Sequence, residues 1–290
     1  MNVKQTLGAV ATAISVVATL LVAQPAGADE ILSFVRIDKD GQRNDRALQV
    51  AVKRYRQNGA HTATFVDLVG VVHVGDADYY SELNASFRQY DALLYELVAP
   101  ADHDTRLDKR NESMIGGAQI AMKDAMGLEF QLHHIDYTAD NFVHADLSPQ
   151  ALRRSMEERG ESLYVYFWRA FYAGMADYAK DPLGIRSWQL LGAMVAPDDG
   201  ESLKRAFARE LIRSDAMLDA LGGEDGSALI QARNERAMQV FDDEWAAGSR
   251  RIGIFYGAAH MPDFEERLRE RGFEPVDTRW LDAWLFEQDE

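Results

Sequence analysis

Cysteine is absent from this chain of 290 residues, which excludes a disulfide-stapled scaffold and a lipoprotein anchored through a cysteine. Basic residues are scarce: 31 Lys and Arg face 47 Asp and Glu, for a formal net charge of −16. Nucleic acid and anionic lipid are held largely by Lys and Arg, so neither is expected as the main partner. A peptide or small-molecule substrate stays open. Solenoid repeats and low-complexity runs are also missing, which leaves an ordinary globular reading.

One long apolar run is present, and it lies at the start. Lys4 supplies a positive beginning, Leu7 to Val22 is uncharged and mostly apolar, and Ala26-Gly27-Ala28 ends in the small-x-small pattern that signal peptidase accepts. Residues 1–28 therefore read as a signal peptide, with Asp29 opening the mature chain and no stable membrane anchor after cleavage. An uncleaved anchor is the rival reading, since the run is close to the minimum length of a span. Export without disulfides fits a periplasmic or secreted location.

Residues 29–290 are enough for one full core, as a single domain or a domain with an insertion. Arg46 to Gln57 reads as a helix. Thr64 to Val69 reads as a strand, Asp76 to Gln89 as a helix and Ala92 to Val98 as a near-continuous apolar strand, the rhythm of a parallel sheet. A helix over about 115–126 and a third strand over Leu128 to Tyr137 follow. Ser148-Pro149 has the composition of a helix start. From there to about residue 248 the chain reads as a helical insertion, broken near 181–184, 197–200 and 222–226. The sheet resumes at Ile252 and ends with a strand-like segment through Phe286. The expected fold is α/β, a mainly parallel central sheet flanked by helices and interrupted by the insertion.

Within that frame one local pattern occurs twice. Gly70-Val71-Val72-His73 and Gly257-Ala258-Ala259-His260 each follow a run of strand-forming residues, so both histidines are expected at strand ends. Ligands of open α/β sheets collect beyond the carboxyl ends of the strands, and a repeated strand-to-histidine junction can face two imidazoles into one pocket. Glu96 sits among Leu93, Leu94, Tyr95, Leu97 and Val98. A carboxylate in such a strand needs a cation, a metal or a histidine beside it; pairing with a buried arginine alone is the plainer alternative.

Arg233 and Asn234 fall on a helix expected over Ser227 to Ala247. Its apolar stripe, Ile230, Met238, Phe241 and Trp245, is interrupted by Asn234 and bordered by Arg233. Arginine there can clamp a carboxylate or a developing oxyanion, and asparagine can orient a histidine or hold a substrate amide. An arginine snorkelling to water is the plainer alternative. His144 is a further candidate for substrate contact, whereas Asp146 reads as part of the turn before Ser148. His133 and His134 read as ordinary strand residues pointing to opposite faces. His61 and His103 carry no signal. An aromatic-rich helix over 163–178 reads as packing or a homodimer contact, with a grip on a peptide or membrane as the alternative.

The ordered set Gly70-x-x-His73, Glu96, Arg233-Asn234, Gly257-x-x-His260 resembles the TraB/GumN family, which includes the Tiki proteases and belongs to a wider superfamily with erythromycin esterases and haem-binding ChaN proteins. The resemblance spans nearly all of residues 29–290. It implies an α/β sheet and, as in the Tiki branch, a peptidase dependent on a divalent ion (Mn, Co or Zn) with His73, His260 and Glu96 as ligands. Gly70, Gly257 and His144 would line the substrate site. Family members often carry glycine three residues after the second histidine, where this chain has Asp263, an additional oxygen donor. Two imidazoles and a carboxylate are a known ligand set of catalytic zinc hydrolases. Arg233 would then stabilise charge on a carbonyl oxygen and Asn234 would orient the substrate. The superfamily also supplies two alternatives. One is a metal-free esterase using His73 as base with Glu96 orienting it, and the other is a protein that binds haem or a peptide without turnover.

Overall fold

The computed structural model describes residues 34–59, 63–99, 126–159, 200–213 and 228–287. The chain opens with an antiparallel pair, β1 (Val35–Lys39) and β2 (Asp45–Gln57). Then come β3 (Phe65–Val71), β4 (Val74–Gly75), α1 (Ala77–Phe87) and β5 (Ala92–Tyr95). The next described stretch holds β6 (Glu129–Phe130), the short α2 (Gln131–His134), β7 (Phe142–His144) and α3 (Pro149–Glu158). Helix α4 (Gly200–Arg213) is followed by a π turn (Ala228–Ala232) that leads into α5 (Arg233–Ala247). The chain closes through β8 (Arg251–Gly257), a 3-10 turn (Ala258–His260), α6 (Met261–Glu270) and β9 (Phe273–Leu285).

Seven of these strands make one sheet in the order β1-β2-β3-β8-β5-β7, with β9 on the other edge of β2. β2 alone runs against its neighbours, antiparallel to β1, β3 and β9, while β3, β8, β5 and β7 pair in parallel. The sheet is thus mixed and mostly parallel, an α/β fold as the sequence rhythm predicts. β4 and β6 form a separate small ribbon.

Both faces of the sheet are covered, which explains why its central strands are apolar without alternation. All residues of β3 and β5 are buried, as is β8 after Arg251. Tyr79, Tyr80, Leu83 and Phe87 place one side of α1 on the first face, together with Leu203 and Ala208 of α4. Ala237, Met238 and Phe241 of α5, with Met261, Phe264 and Leu268 of α6, cover the second. Helix α3 starts where Ser148 Oγ accepts from Ala151 N at 3.2 Å and Pro149 takes the first turn. Gly248, at φ 109°, ends α5 in a left-handed conformation that favours glycine.

Two expected elements are otherwise. Residues 46–57 are strand, not helix. Leu48, Val50 and Val52 serve one face and Ala51 and Tyr55 the other, and this double burial fills in the alternation until the pattern mimics a helical stripe. The strand expected over 128–137 is only Glu129–Phe130 before α2 begins, because tertiary bonds hold the turn: Gln131 N donates to His73 O at 2.9 Å and Asn84 Nδ2 to His134 O at 2.7 Å. His133 and His134 therefore lie on a helical turn. The helix over 115–126, save Met126, the aromatic helix over 163–178, the three breaks in the insertion, His61, His103 and residues 1–28 lie outside the described residues, apart from Gly200 at the head of α4. Among the described residues no helix is long and apolar enough to cross a membrane.

Candidate functional site

Four neighbouring parallel strands end together, and each is followed within three residues by a polar side chain of one cluster. Val71 stands beside Gly257, and Tyr95 beside both Phe255 and His144. His73 follows β3, Glu96 follows β5, Asp146 follows β7 and His260 follows β8. This is the edge at which open α/β sheets bind ligands.

Glu96 is the hub. Its Oε1 accepts from Arg233 Nη2 at 2.7 Å and lies 3.7 Å from His260 Nε2, while Oε2 accepts from Gly257 N at 2.7 Å. A Cβ on Gly257 would stand 3.3 Å from Glu96 Oε2 and 3.4 Å from His73 Nε2, so glycine is what lets this backbone lie against both groups. Burial raises the Glu96 pKa, but His260, Arg233, His73 and the Gly257 N–H outweigh it and bring the carboxyl down to about 2.

Arg233 binds a second acid. Its Nε and Nη2 donate to the two oxygens of Asp146 at 2.9 and 2.6 Å, a side-on bidentate pair in which Asp146 is fully buried. Burial opposes the charge on Arg233, yet Asp146 and Glu96 hold its pKa above the ordinary value. The Nη1 amino group has no hydrogen bond among the described residues.

Each imidazole is tied by an amide. His260 Nδ1 contacts Asn234 Oδ1 at 2.6 Å, and the ring is sealed between Tyr256 and Phe264. Burial lowers its pKa to about 4, with Glu96 opposing. His73 Nδ1 contacts Gln131 Oε1 at 2.9 Å, and Gln131 Nε2 donates to Tyr137 Oη at 2.8 Å. His73 is exposed, whereas His260 is buried. With Nδ1 engaged, His260 turns Nε2 toward Glu96, and His73 places Nε2 beside Gly257, the residue whose N–H bonds Glu96.

The other expected site residues lie as follows. Gly70 packs inside the sheet, where a Cβ would meet Val50 at 3.0 Å and Ala51 O at 3.3 Å, so its place is packing rather than substrate contact. His144 Nε2 contacts Leu97 O at 2.6 Å and pins the chain just after Glu96. Asp263 is engaged through one oxygen: its Oδ2 accepts from Asn234 Nδ2 at 2.7 Å and from Arg267 Nε at 2.6 Å. Asp146, Gln131 and Tyr137 join the cluster without having been singled out. For Asp146 a signal exists, since Phe142-Val143-His144-Ala145-Asp146 is an apolar strand closing on an acid just as Leu93-Leu94-Tyr95-Glu96 is.

Among the described residues no group of three His, Asp or Glu side chains is arranged so as to hold a metal ion. The donor types nevertheless fit one. Ligand histidines commonly give their second nitrogen to an amide or carboxylate oxygen, as His73 and His260 do, and Glu96 keeps lone pairs beyond its two hydrogen bonds. Comparison with family models, with curated proteins and with solved structures gives no match.

Proposed function

We propose that this protein is a hydrolase of peptide or ester bonds, of the kind the TraB/GumN resemblance implies, acting at the cluster of His73, Glu96, Arg233 and His260. One observation carries the reading: two imidazoles, each tied at Nδ1, gather with a buried carboxylate around Gly257 at the binding edge of the sheet. His73, His260 and Glu96 would hold a divalent ion. Such an ion supplies, when bound, a water acidified toward neutral pH.

The chain's own groups have definite tasks in that reading. Arg233 Nη1 donates to the carbonyl oxygen of the substrate and stabilises the negative charge that develops on it. Asp146 fixes the guanidinium plane so that Nη1 is aimed before substrate arrives. Asn234 holds His260 in place from behind. The low pKa of His260 keeps its ring neutral, with a lone pair ready, at every pH above about 4.

A metal-free reading has its own support, because Glu96 is already neutralised by Arg233 at 2.7 Å. There a histidine accepts the proton of an attacking water and Glu96 steadies the imidazolium. Elemental analysis of protein purified without chelator, beside hydrolysis of a fluorogenic peptide mixture and of simple esters, tests both. The expected result is about one divalent ion per chain and activity lost on chelation and restored by Mn, Co or Zn. Undiminished activity after exhaustive chelation selects the metal-free route. Equal activity in the His73→Ala/His260→Ala variant sinks the site itself.

A further inference from the structure

The two Gly-x-x-His junctions are built differently. After Gly257 the chain turns straight into helix: Met261 N donates back to Ala258 O and α6 continues from there, so His260 is placed by its own turn. After Val71 the chain has no helical turn to lean on. Val72 and His73 belong to no helix or strand, and α1 begins only at Ala77. The main-chain oxygens of this loop are taken up instead by three other elements. Tyr80 Oη of α1 donates to Val72 O at 3.0 Å, Gln131 N of α2 to His73 O at 2.9 Å, and Trp284 Nε1 of β9 to Val74 O at 2.7 Å. Gly75 permits the close fit, since a Cβ there would stand 3.2 Å from Ala283 O and 3.3 Å from Tyr80 Oη.

Asp76 ends the loop and holds the N-cap of α1. An aspartate there ordinarily accepts from the free N–H groups of its own first turn. Here the side chain makes no cap bond. Its Oδ1 accepts instead from Lys204 Nζ of α4 at 2.8 Å and its Oδ2 from Leu285 N of β9 at 2.6 Å, while Asp76 N donates to Ala283 O at 2.9 Å. Lys204 is buried, and an ammonium in that setting cannot be left without its carboxylate at small cost. The aspartate thus forgoes capping its own helix and ties the end of the His73 loop to α4 and β9.

We infer that Asp76, Lys204 and Trp284 are positioning residues for His73, so that α4 and β9, which supply none of the side chains of the cluster, set where one of its two imidazoles stands. His260 is placed by local turns and His73 by tertiary contacts. Loosening α4 frees Asp76, and the loop then slackens from its far end. That the place of His73 matters to catalysis rests on the hydrolase reading; the coupling of α4 and β9 to the loop does not.

Amide hydrogen exchange on the full-length chain, freed of metal by chelation, tests the coupling. Gln131 N–H, bonded to His73 O, reports on the loop, and Met261 N–H, bonded to Ala258 O, reports on the other junction. Trp284→Phe removes one donor and keeps a ring, and Lys204→Met removes the ammonium and keeps a stem; the bonds lost go to Val74 and Asp76, not to Gln131. Each variant should speed exchange at Gln131 roughly two- to tenfold, the scale of one lost hydrogen bond, and leave Met261 unchanged. Lys204→Arg, which can still bond Asp76, should keep the native rate. Unchanged exchange at Gln131, or an equal rise at Met261, overturns the inference, and Trp284→Phe decides alone if Lys204→Met fails to fold. Titration with Co2+ alone and peptide hydrolysis read the consequence, expected as weaker cobalt binding and a lower kcat at similar KM in both variants. A native protein that neither binds cobalt nor hydrolyses, with Gln131 loosened in the variants as stated, would defeat the proposed function and leave the positioning role standing.

Discussion

Asp146 is the buried end of an ion pair whose other end reaches Glu96. Its two oxygens take up Nε and Nη2 of Arg233, and neither side chain has much contact with water. Removing one partner of a buried pair leaves a charge that burial no longer tolerates. Asp146→Asn should therefore cost about 3 kcal/mol of stability, on the scale measured when such pairs are broken, read as a lower urea midpoint. It should also slow turnover more than it weakens substrate binding, because Arg233 is then free to swing wholly onto Glu96. A surface-like change of a few tenths of a kcal/mol would show that the pair does not anchor the arginine.

At the scale of elements, β8 is the strand on which the site depends, since it lies between β3 and β5 and delivers Gly257 and His260. Gly253, in its middle, leaves room for Leu93 and Tyr90: an added Cβ would come within 2.6 Å of Leu93 Cδ1 and 2.9 Å of the Tyr90 ring. Gly253→Ala should destabilise by about 1–3 kcal/mol, the usual cost of overpacking, with the denaturant slope unchanged. That β3, β5 and β8 are strands was legible from the sequence, because each is an apolar run closing on a polar residue, with a glycine near the end of β3 and of β8. β2 was not, because burial on both faces erases the alternation that marks a strand. Asp146 was hidden for a related reason: once 128–137 was assigned to the sheet, Phe142–His144 had no strand to be, and its terminal acid looked like part of a turn. Gln131 and Tyr137 act through tertiary contacts that no spacing announces.

For the whole molecule, the site sets a pH dependence. His260 falls from an ordinary 6.5 to about 4 because burial disfavours its charge, so below pH 6.5 the unfolded chain binds a proton that the folded one refuses. That contribution is fully present above 6.5 and is lost as pH falls toward 4, on the order of 3 kcal/mol in all. Glu96 extends the loss: it falls from 4.5 to about 2, so its contribution is present above 4.5 and disappears as pH drops toward 2. General charge repulsion acts the other way, since the chain carries −16 at pH 7 and approaches neutrality near pH 4.9. Urea midpoints at pH 7, 5.5 and 4 should fall steadily, and His260→Gln should flatten the upper part of that fall. An unchanged slope in the variant would place the proton uptake elsewhere.

The ladder between β2 and β9 has one more consequence, in time rather than in space. It joins Ala47 to Leu285 and Gln57 to Phe273, so the strand beside the middle of the sheet waits for a partner that lies far along the chain. β3 likewise waits for β8. Contacts this distant along the chain close slowly, because the loop entropy must be met before the pairing rewards it. A growing chain therefore cannot complete this sheet until β9 has been made. A fragment stopped short of residue 273 should be recovered as a protease-sensitive species rather than a folded one.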